Sequence, residues 1–407
     1  MNTLTLPRPL DTRAFPRAAR LALHLLERIE HGSLVLRFPD GQRALYGRGG
    51  PVAELALKHW KVFGATLRGG DIGFAESWAA GDWSSPDLPR LLALLAANRN
   101  AAEELIYGSW WGTLIARLRH LLRANTRAQA KKNIHAHYDI GNDFYALWLD
   151  RGMTYSSALD SAAGDPMAPY SEAELEAAQD AKYQRVIDEL NLERGARVLE
   201  IGCGWGGFAE RAARAGLQVT GLTLSTEQLD WARGRLARQG LAADLRLQDY
   251  RDEQGMYDGV ASIEMFEAVG EAWWPSYFAT VARSLKPGGR ACIQTIVIAD
   301  ELFARYRRST DFIQQYIFPG GMLPSPMAFR EQARRAGLRV ERELAFGPAY
   351  ARTLATWRAR FLARLDAVHA QGFDERFVRL WEMYLAYCQA AFAQGNTDVV
   401  QYTLVRA

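Results

Sequence analysis

The run from Val198 to Gly207 reads Val-Leu-Glu-Ile-Gly-Cys-Gly-Trp-Gly-Gly, and Phe208-Ala209-Glu210-Arg211-Ala212-Ala213 follows it. An apolar strand enters a glycine turn, and a helix leaves it. That order is the strand, tight turn and helix N-terminus of a nucleotide-type βαβ unit. Glycine is required there because the turn uses backbone angles closed to other residues, and because a Cβ would hold a ligand off the main chain. A glycine-rich αβ turn without a ligand would satisfy the same pattern. The spacing is not that of the dinucleotide fingerprint, whose glycines stand at the first, third and sixth positions of the motif. Here they are Gly202, Gly204, Gly206 and Gly207.

The turn is similar to that of class I methyltransferases, whose ligand is S-adenosylmethionine, and the segments around it alternate accordingly. Strand character at 196–201, 217–223, 243–248, 257–263 and 289–297 is separated by helical character near 207–215, 226–239 and 271–285. A helix at 171–190 leads in, and a strand at 399–405 closes the series. Such alternation predicts a doubly wound, Rossmann-like parallel sheet. Ligands of these sheets bind outside the carboxyl ends of the strands. The second strand ends in Gly221-Leu222-Thr223-Leu224-Ser225-Thr226-Glu227-Gln228, without the ribose-binding acid of a dehydrogenase, so Thr223, Glu227 or Gln228 would take that role. After the third strand comes Gln248-Asp249-Tyr250-Arg251-Asp252, suited to flanking an adenine. After the fourth come Glu264 and Glu267, two carboxylates three residues apart, with Glu267 the first candidate for a functional acid. After the fifth, Gln294-Thr295-Ile296 offers an amide and an apolar wall.

Ahead of this lies a smaller α+β pattern: a helix over 12–30, a hairpin at 33–46, strands at 52–57 and 60–66, and helices at 73–80 and 88–97. A long apolar helix over 101–123 ends in Arg117, Arg119, His120 and Arg123. It could lie on anionic lipid or pack between domains. Residues 1–135 carry 19 Lys and Arg against 11 Asp and Glu, whereas the rest of the chain carries 30 against 35. A basic front part joined to a mildly acidic one suggests an anionic surface as partner. The absence of a stretch of about 18 apolar residues and of a signal segment argues for a cytoplasmic protein, free or held at the inner face of a membrane. The three isolated cysteines and the His135 and His137 pair suggest neither a disulfide framework nor a metal site. Nucleic acid is disfavoured because the basic residues do not surround the cofactor motifs. Between 298 and 330, Phe303, Tyr306, Phe312, Tyr316, Ile317, Phe318, Met322 and Leu323 suggest a lid or an acyl-chain channel, or else ordinary core.

Taken together, His137-Tyr138-Asp139, Tyr155-Ser156-Ser157-Ala158, the glycine turn, Gly221 to Ser225, Phe266-Glu267 and Phe318-Pro319-Gly320-Gly321 resemble the cyclopropane-fatty-acyl-phospholipid synthase family, relatives of the mycolic acid cyclopropane synthases. Gly73-Phe74-Ala75-Glu76-Ser77-Trp78 is similar to the front module of the bacterial phospholipid enzymes. The resemblance implies a class I S-adenosylmethionine-dependent methyltransferase with a seven-stranded sheet over 124–407, carrying a lid insertion at 298–330. A small α+β domain over 1–123 would serve for lipid docking or dimerisation. In the family, the π bond of a cis-unsaturated acyl chain attacks the methyl of S-adenosylmethionine, and a bound bicarbonate takes a proton as the ring closes. Carried over by position, the catalytic set falls on Ser157, Glu267, Gln294, Ile296 and Tyr350. The cofactor set falls on Tyr155, Ser156, Gly202, Gly204, Thr223, Leu224, Gln228, Tyr250 and Arg251. The implied partners are unsaturated phospholipid acyl chains at a membrane surface, and the resemblance suggests a homodimer.

Four departures bear on the product. The family usually has Cys at Ser157, His at Gln294 and His at Ala268, and its phospholipid cyclopropanating members usually carry Gly where this chain has Glu264. Ser and Gln remain donors that do not titrate near neutrality. An added carboxylate near the carbocation could redirect it. The expectation is therefore methyl transfer to a lipid alkene with cyclopropanation as the family's outcome, C-methylation to a methyl branch or methylene as its alternative, and a non-catalytic lipid carrier as a third reading.

Overall fold

A computed structural model describes residues 12–99, 140–160 and 164–406. The expected helix at 101–123 and the His135 to Asp139 motif lie outside them. Strands β5 (Arg197–Ile201), β6 (Gln218–Thr223), β7 (Asp244–Leu247), β8 (Tyr257–Ile263), β9 (Leu285–Ile298), β10 (Leu338–Ala345) and β11 (Thr397–Arg406) form a seven-stranded sheet. Its order is β10-β11-β9-β8-β5-β6-β7. From β9 to β7 all neighbours are parallel, whereas β11 runs antiparallel to both β9 and β10. The chain reverses direction across the sheet between β5 and β8, so their carboxyl ends open a crevice there.

Local chemistry sets the helix starts. Ser171 caps the helix Glu172–Leu190 in a reciprocal capping box with Glu174. Ser225 caps Thr226–Arg238 through the Gln228 amide, which places Gln228 at the tip of β6. One face of the sheet packs Val186, Phe208, Leu229 and Leu236, and the other packs Phe266, Tyr277, Phe278 and Phe329.

Ahead of the sheet, β1 (Gly32–Arg37), β2 (Arg43–Arg48), β3 (Val52–Leu57) and β4 (Trp83–Ser84) form a second sheet ordered β2-β1-β3-β4. The expected strand at 60–66 is instead the start of a helix, Lys61–Ala79. Val62, Phe63 and Thr66 have strand propensity, but Trp60 and Phe63 pack with Phe15 and Phe38 in one aromatic cluster, and tertiary packing prevails. A second departure is β10, which is not among the strands expected from the sequence. Its sequence, Leu-Arg-Val-Glu-Arg-Glu-Leu-Ala, buries little and carries the charge that edge strands use against unwanted pairing.

The front sheet does not stand apart from the rest. Phe15, Leu34, Leu55, Trp83 and Leu91 belong to one core cluster with Trp357, Trp381, Leu385 and Phe392, which lie on the helices Gly347–Leu362 and Glu375–Ala393. Arg379 locks this junction. Its guanidinium lies 4.3 Å over the Trp78 ring and donates to the carbonyls of Trp78 at 2.6 Å and Trp83 at 3.2 Å, while Trp78 Nε1 donates to the Arg379 carbonyl at 2.8 Å. Replacing Arg379 by Ala leaves two carbonyls without their donor and is expected to cost about 2 kcal/mol or more, read as a lower urea midpoint. An unchanged midpoint would mean that apolar packing alone holds the two parts together.

Candidate active site

The glycine turn opens directly from β5. Gly202 has φ of 85°, and a Cβ there would lie 2.7 Å from the Met265 side chain, whereas a Cβ on Gly204 would meet nothing within 4 Å. Gly202 thus lets the β5 and β8 loops close on each other, and Gly204 leaves open space beside the main chain. That space belongs to a cavity of about 170 Å³. All nine residues expected to contact the cofactor line it: Tyr155, Ser156, Gly202, Gly204, Thr223, Leu224, Gln228, Tyr250 and Arg251. Arg251 is fixed by Asp249, which accepts from its guanidinium at 2.9 and 2.6 Å, and by the Trp273 ring at 5.2 Å. Glu200 also faces the cavity. Its Oε2 is buried without a partner, and burial raises its pKa to about 8. An orphaned carboxylate oxygen beside a glycine turn fits the ammonium of an amino-acid-bearing nucleoside such as S-adenosylmethionine.

A second cavity, about 200 Å³ and mostly apolar, is bordered by Glu264, Glu267 and Ala268 after β8 and by Ile296 on β9. Tyr306, Phe318, Met322 and Leu323 from the 298–330 segment line it, together with Leu354, Tyr384 and Phe392. Phe312 is instead buried in the main core, and Phe303 stacks toward Trp274. A third cavity, of about 290 Å³, continues from it between the front sheet and the C-terminal helices; both are lined by Tyr306, Asp311, Leu323, Tyr387, Ala391 and Thr397.

The first two cavities meet at Tyr155, Glu264 and Ala268, which line both. Glu264 is the centre of this junction. Its Oε1 accepts from the Ser157 backbone N–H at 2.8 Å and from Gln294 Nε2 at 2.7 Å, and its Oε2 accepts from the Tyr350 hydroxyl at 2.6 Å. Gln294 is oriented from behind: its Oε1 accepts from Gln401 Nε2 at 2.9 Å, and Gln401 Oε1 accepts from Arg185 at 2.7 Å. Gln294 and Gln401 are direct cross-strand partners on β9 and β11. The chain of amides therefore turns the Gln294 NH₂ group toward Glu264.

Glu267, one helical turn further on, is held differently. Its Oε1 accepts from Thr295 Oγ1 at 3.0 Å and from the Ile296 backbone N–H, while its Oε2 is buried without a partner. Burial, and then the charge of Glu264, push its pKa up to about 8. Burial also raises Glu264, opposed by Tyr350, Lys182, Ser157 and Gln294. Lys182, fully buried, donates to Ser156 Oγ and Gln179 Oε1, both at 2.6 Å. Burial pulls it down to about 7, opposed by Glu264 and Asp150. Two enclosed carboxylates do not both ionise readily, and the one on which three donors converge is better provided for in its charged form. Glu264 is that one.

The residues assigned to a bicarbonate therefore divide. Ser157, Gln294 and Tyr350 converge on the Glu264 carboxylate, while Ile296 serves Glu267. The donors are engaged by a side chain of the protein, and a free anion would have to displace the Glu264 carboxylate to reach them. The site does not fit bicarbonate. Glu264, which the sequence places near the carbocation but outside the assigned set, is the group on which three of those residues converge.

A seven-stranded sheet of this order, with a glycine-turn cavity at its switch point, defines a class I S-adenosylmethionine-dependent methyltransferase. The sequence profile of the mycolic acid cyclopropane synthetase family matches residues 125–402, and the chain belongs to that family. It is 43% identical over 345 residues to the tuberculostearic acid methyltransferase of Mycobacterium tuberculosis, covering 83% of this chain and 80% of that one. It is 33% identical over 364 residues to the cyclopropane-fatty-acyl-phospholipid synthase of Escherichia coli, covering 88% and 89%. The solved structure of a mycolic acid cyclopropane synthase in complex with SAH and CTAB superposes with a TM-score of 0.61 at 31% identity, covering 68% of this chain and 98% of that one.

Proposed function

We propose that this protein transfers the methyl group of S-adenosylmethionine to a carbon of the cis double bond in an unsaturated fatty acyl chain, and that the product is a C-methylated chain. The observation that carries the reading is the meeting of the glycine-turn cavity with an apolar cavity at Glu264. S-adenosylmethionine supplies an electrophilic methyl when bound. The chain's own residues would hold it: Gly202, Gly204 and Ser156 at the amino-acid end, Thr223, Leu224 and Gln228 at the ribose, Tyr250 and Arg251 at the adenine, and Tyr155 beside the methyl.

Phe318, Met322, Leu323, Leu354 and Phe392 would wall the alkene and keep water from the carbocation. The continuing cavity would take the far end of the acyl chain against the front sheet. The excess of basic residues in 1–135 would meet the headgroups of anionic phospholipid. A fixed carboxylate at the junction stabilises positive charge on the methyl-bearing carbon, to which a 1,2-hydride shift moves it. Proton loss from the new methyl then gives a methylene branch. Similarity to the tuberculostearic acid methyltransferase supports C-methylation. Ring closure from the unshifted cation is the second reading, favoured by the likeness to the E. coli synthase over most of both chains.

The test is mass spectrometry of phospholipid acyl chains from a host that lacks its own cyclopropane synthase and expresses this protein. The expected product is heavier by one CH₂ and still reacts with an alkene reagent. A heavier product inert to that reagent, identified by NMR as a ring, would establish cyclopropanation. Acyl chains of unchanged mass would sink both readings.

A further inference from the structure

We propose that Glu264 is the base that removes the proton from the methylated acyl cation, so that turnover needs no diffusible anion. The proposal rests on the methyl-transfer reading above and specifies how that reaction ends.

Position is the first argument. Any methyl passing from the glycine-turn cavity to the apolar cavity goes by Tyr155, Glu264 and Ala268, the residues that line both. Of these, the Tyr155 hydroxyl is engaged with that of Tyr384 at 2.7 Å, and Ala268 has no proton-accepting side chain. Glu267 borders only the apolar cavity and has one oxygen without a donor, which favours its neutral form. Glu264 is the carboxylate whose charge is provided for.

Backbone geometry is the second. Glu264 has φ of 49°, a left-handed conformation that residues with a side chain rarely adopt. The strain is held in place by its own N–H, which donates to the Gln294 carbonyl at 2.8 Å, and by the three donors on its carboxylate. The fold thus maintains an unfavourable backbone angle to put a carboxylate where three donors converge.

The chemistry balances without a further reactant. The alkene π electrons form the new bond to the methyl carbon, the methyl-to-sulfur bond breaks, and its electron pair stays on sulfur. The other alkene carbon is left cationic. A Glu264 oxygen then takes a proton from the transferred methyl, and the freed C–H pair forms either the double bond of a methylene branch, after the hydride shift, or the third bond of a ring. Hydrogens next to a carbocation are far more acidic than a carboxylic acid, so placement matters more than base strength. The proton rests on Glu264 until the products leave.

The experiment measures methyl transfer to vesicles of monounsaturated phosphatidylglycerol, in CO₂-free buffer and with added bicarbonate or formate, alongside S-adenosylhomocysteine affinity. Wild type is expected to be equally active within about twofold with and without the anion. Glu264→Gly is expected to lose about a hundredfold in CO₂-free buffer, the scale of a missing general base. Bicarbonate or formate, admitted to the three freed donors, should raise that activity at least about tenfold. Glu264→Gln, which fills the space without a base, should stay inactive in every buffer, with cofactor affinity unchanged in both variants. Wild-type activity that collapses in CO₂-free buffer overturns the proposal, and that arm needs no variant to fold. So does a Glu264→Gly enzyme fully active without an anion. A wild-type chain that methylates no lipid in any buffer overturns the underlying reading instead, and this proposal with it.

Discussion

Gly202→Val is expected to abolish S-adenosylhomocysteine binding, a weakening of at least about a hundredfold by calorimetry, corresponding to about 3 kcal/mol. Two effects add. The backbone at φ of 85° is closed to a β-branched residue, and the new Cβ would fall 2.7 Å from Met265 Cγ and 2.9 Å from Met265 Cβ. Met265 follows Glu264 directly, so relief by moving it would displace the carboxylate at the junction as well. The melting temperature should fall too, because β5 and β8 are adjacent strands of the sheet. Binding retained within about threefold would mean that the turn does not approach the cofactor closely.

Cys388→Trp is expected to lower methyl transfer to vesicles by about a hundredfold while leaving S-adenosylhomocysteine affinity within about twofold. Cys388 lines the apolar cavity together with Glu264 and Ile296, and is absent from the lining of the glycine-turn cavity. An indole there would occupy much of a space of about 200 Å³ and push an acyl chain off the line of attack. Cys388→Ala, which widens the cavity, should keep most of the activity and serves as the control. Full activity in the tryptophan variant would show that the acyl chain takes another route.

The parallel half of the sheet was legible because its strands are buried on both faces and read as apolar runs bounded by glycine and charge. The expected strand at 257–263 coincides with β8, because strand tips and glycine turns are local features, and the cofactor set implied by the resemblance lines one cavity. What was not legible depends on contacts distant in sequence. The helical start of Lys61–Ala79 is decided by Phe15 and Phe38. The direction of the Gln294 amide is decided by Gln401, 107 residues away. Glu264 could be seen as an extra acid, but its occupation of the donors of Ser157, Gln294 and Tyr350 follows only from the register of β8 with β9 and the packing of the helix Gly347–Leu362. Pattern reasoning identifies which residues stand at strand ends; it does not say which of them another side chain has already claimed.

The clasp between Trp78 and Arg379 has a consequence for how the protein comes into being. Its two halves are 301 residues apart. At a synthesis rate of roughly 5–20 residues per second, the front sheet emerges about 15–60 s before the helix that covers it. During that interval Trp83, Leu91 and their neighbours have no companion for the faces they later bury against Trp381 and Leu385. A nascent chain in that condition invites association with others like it, and its yield in a cell should depend on holding chaperones and fall as translation slows.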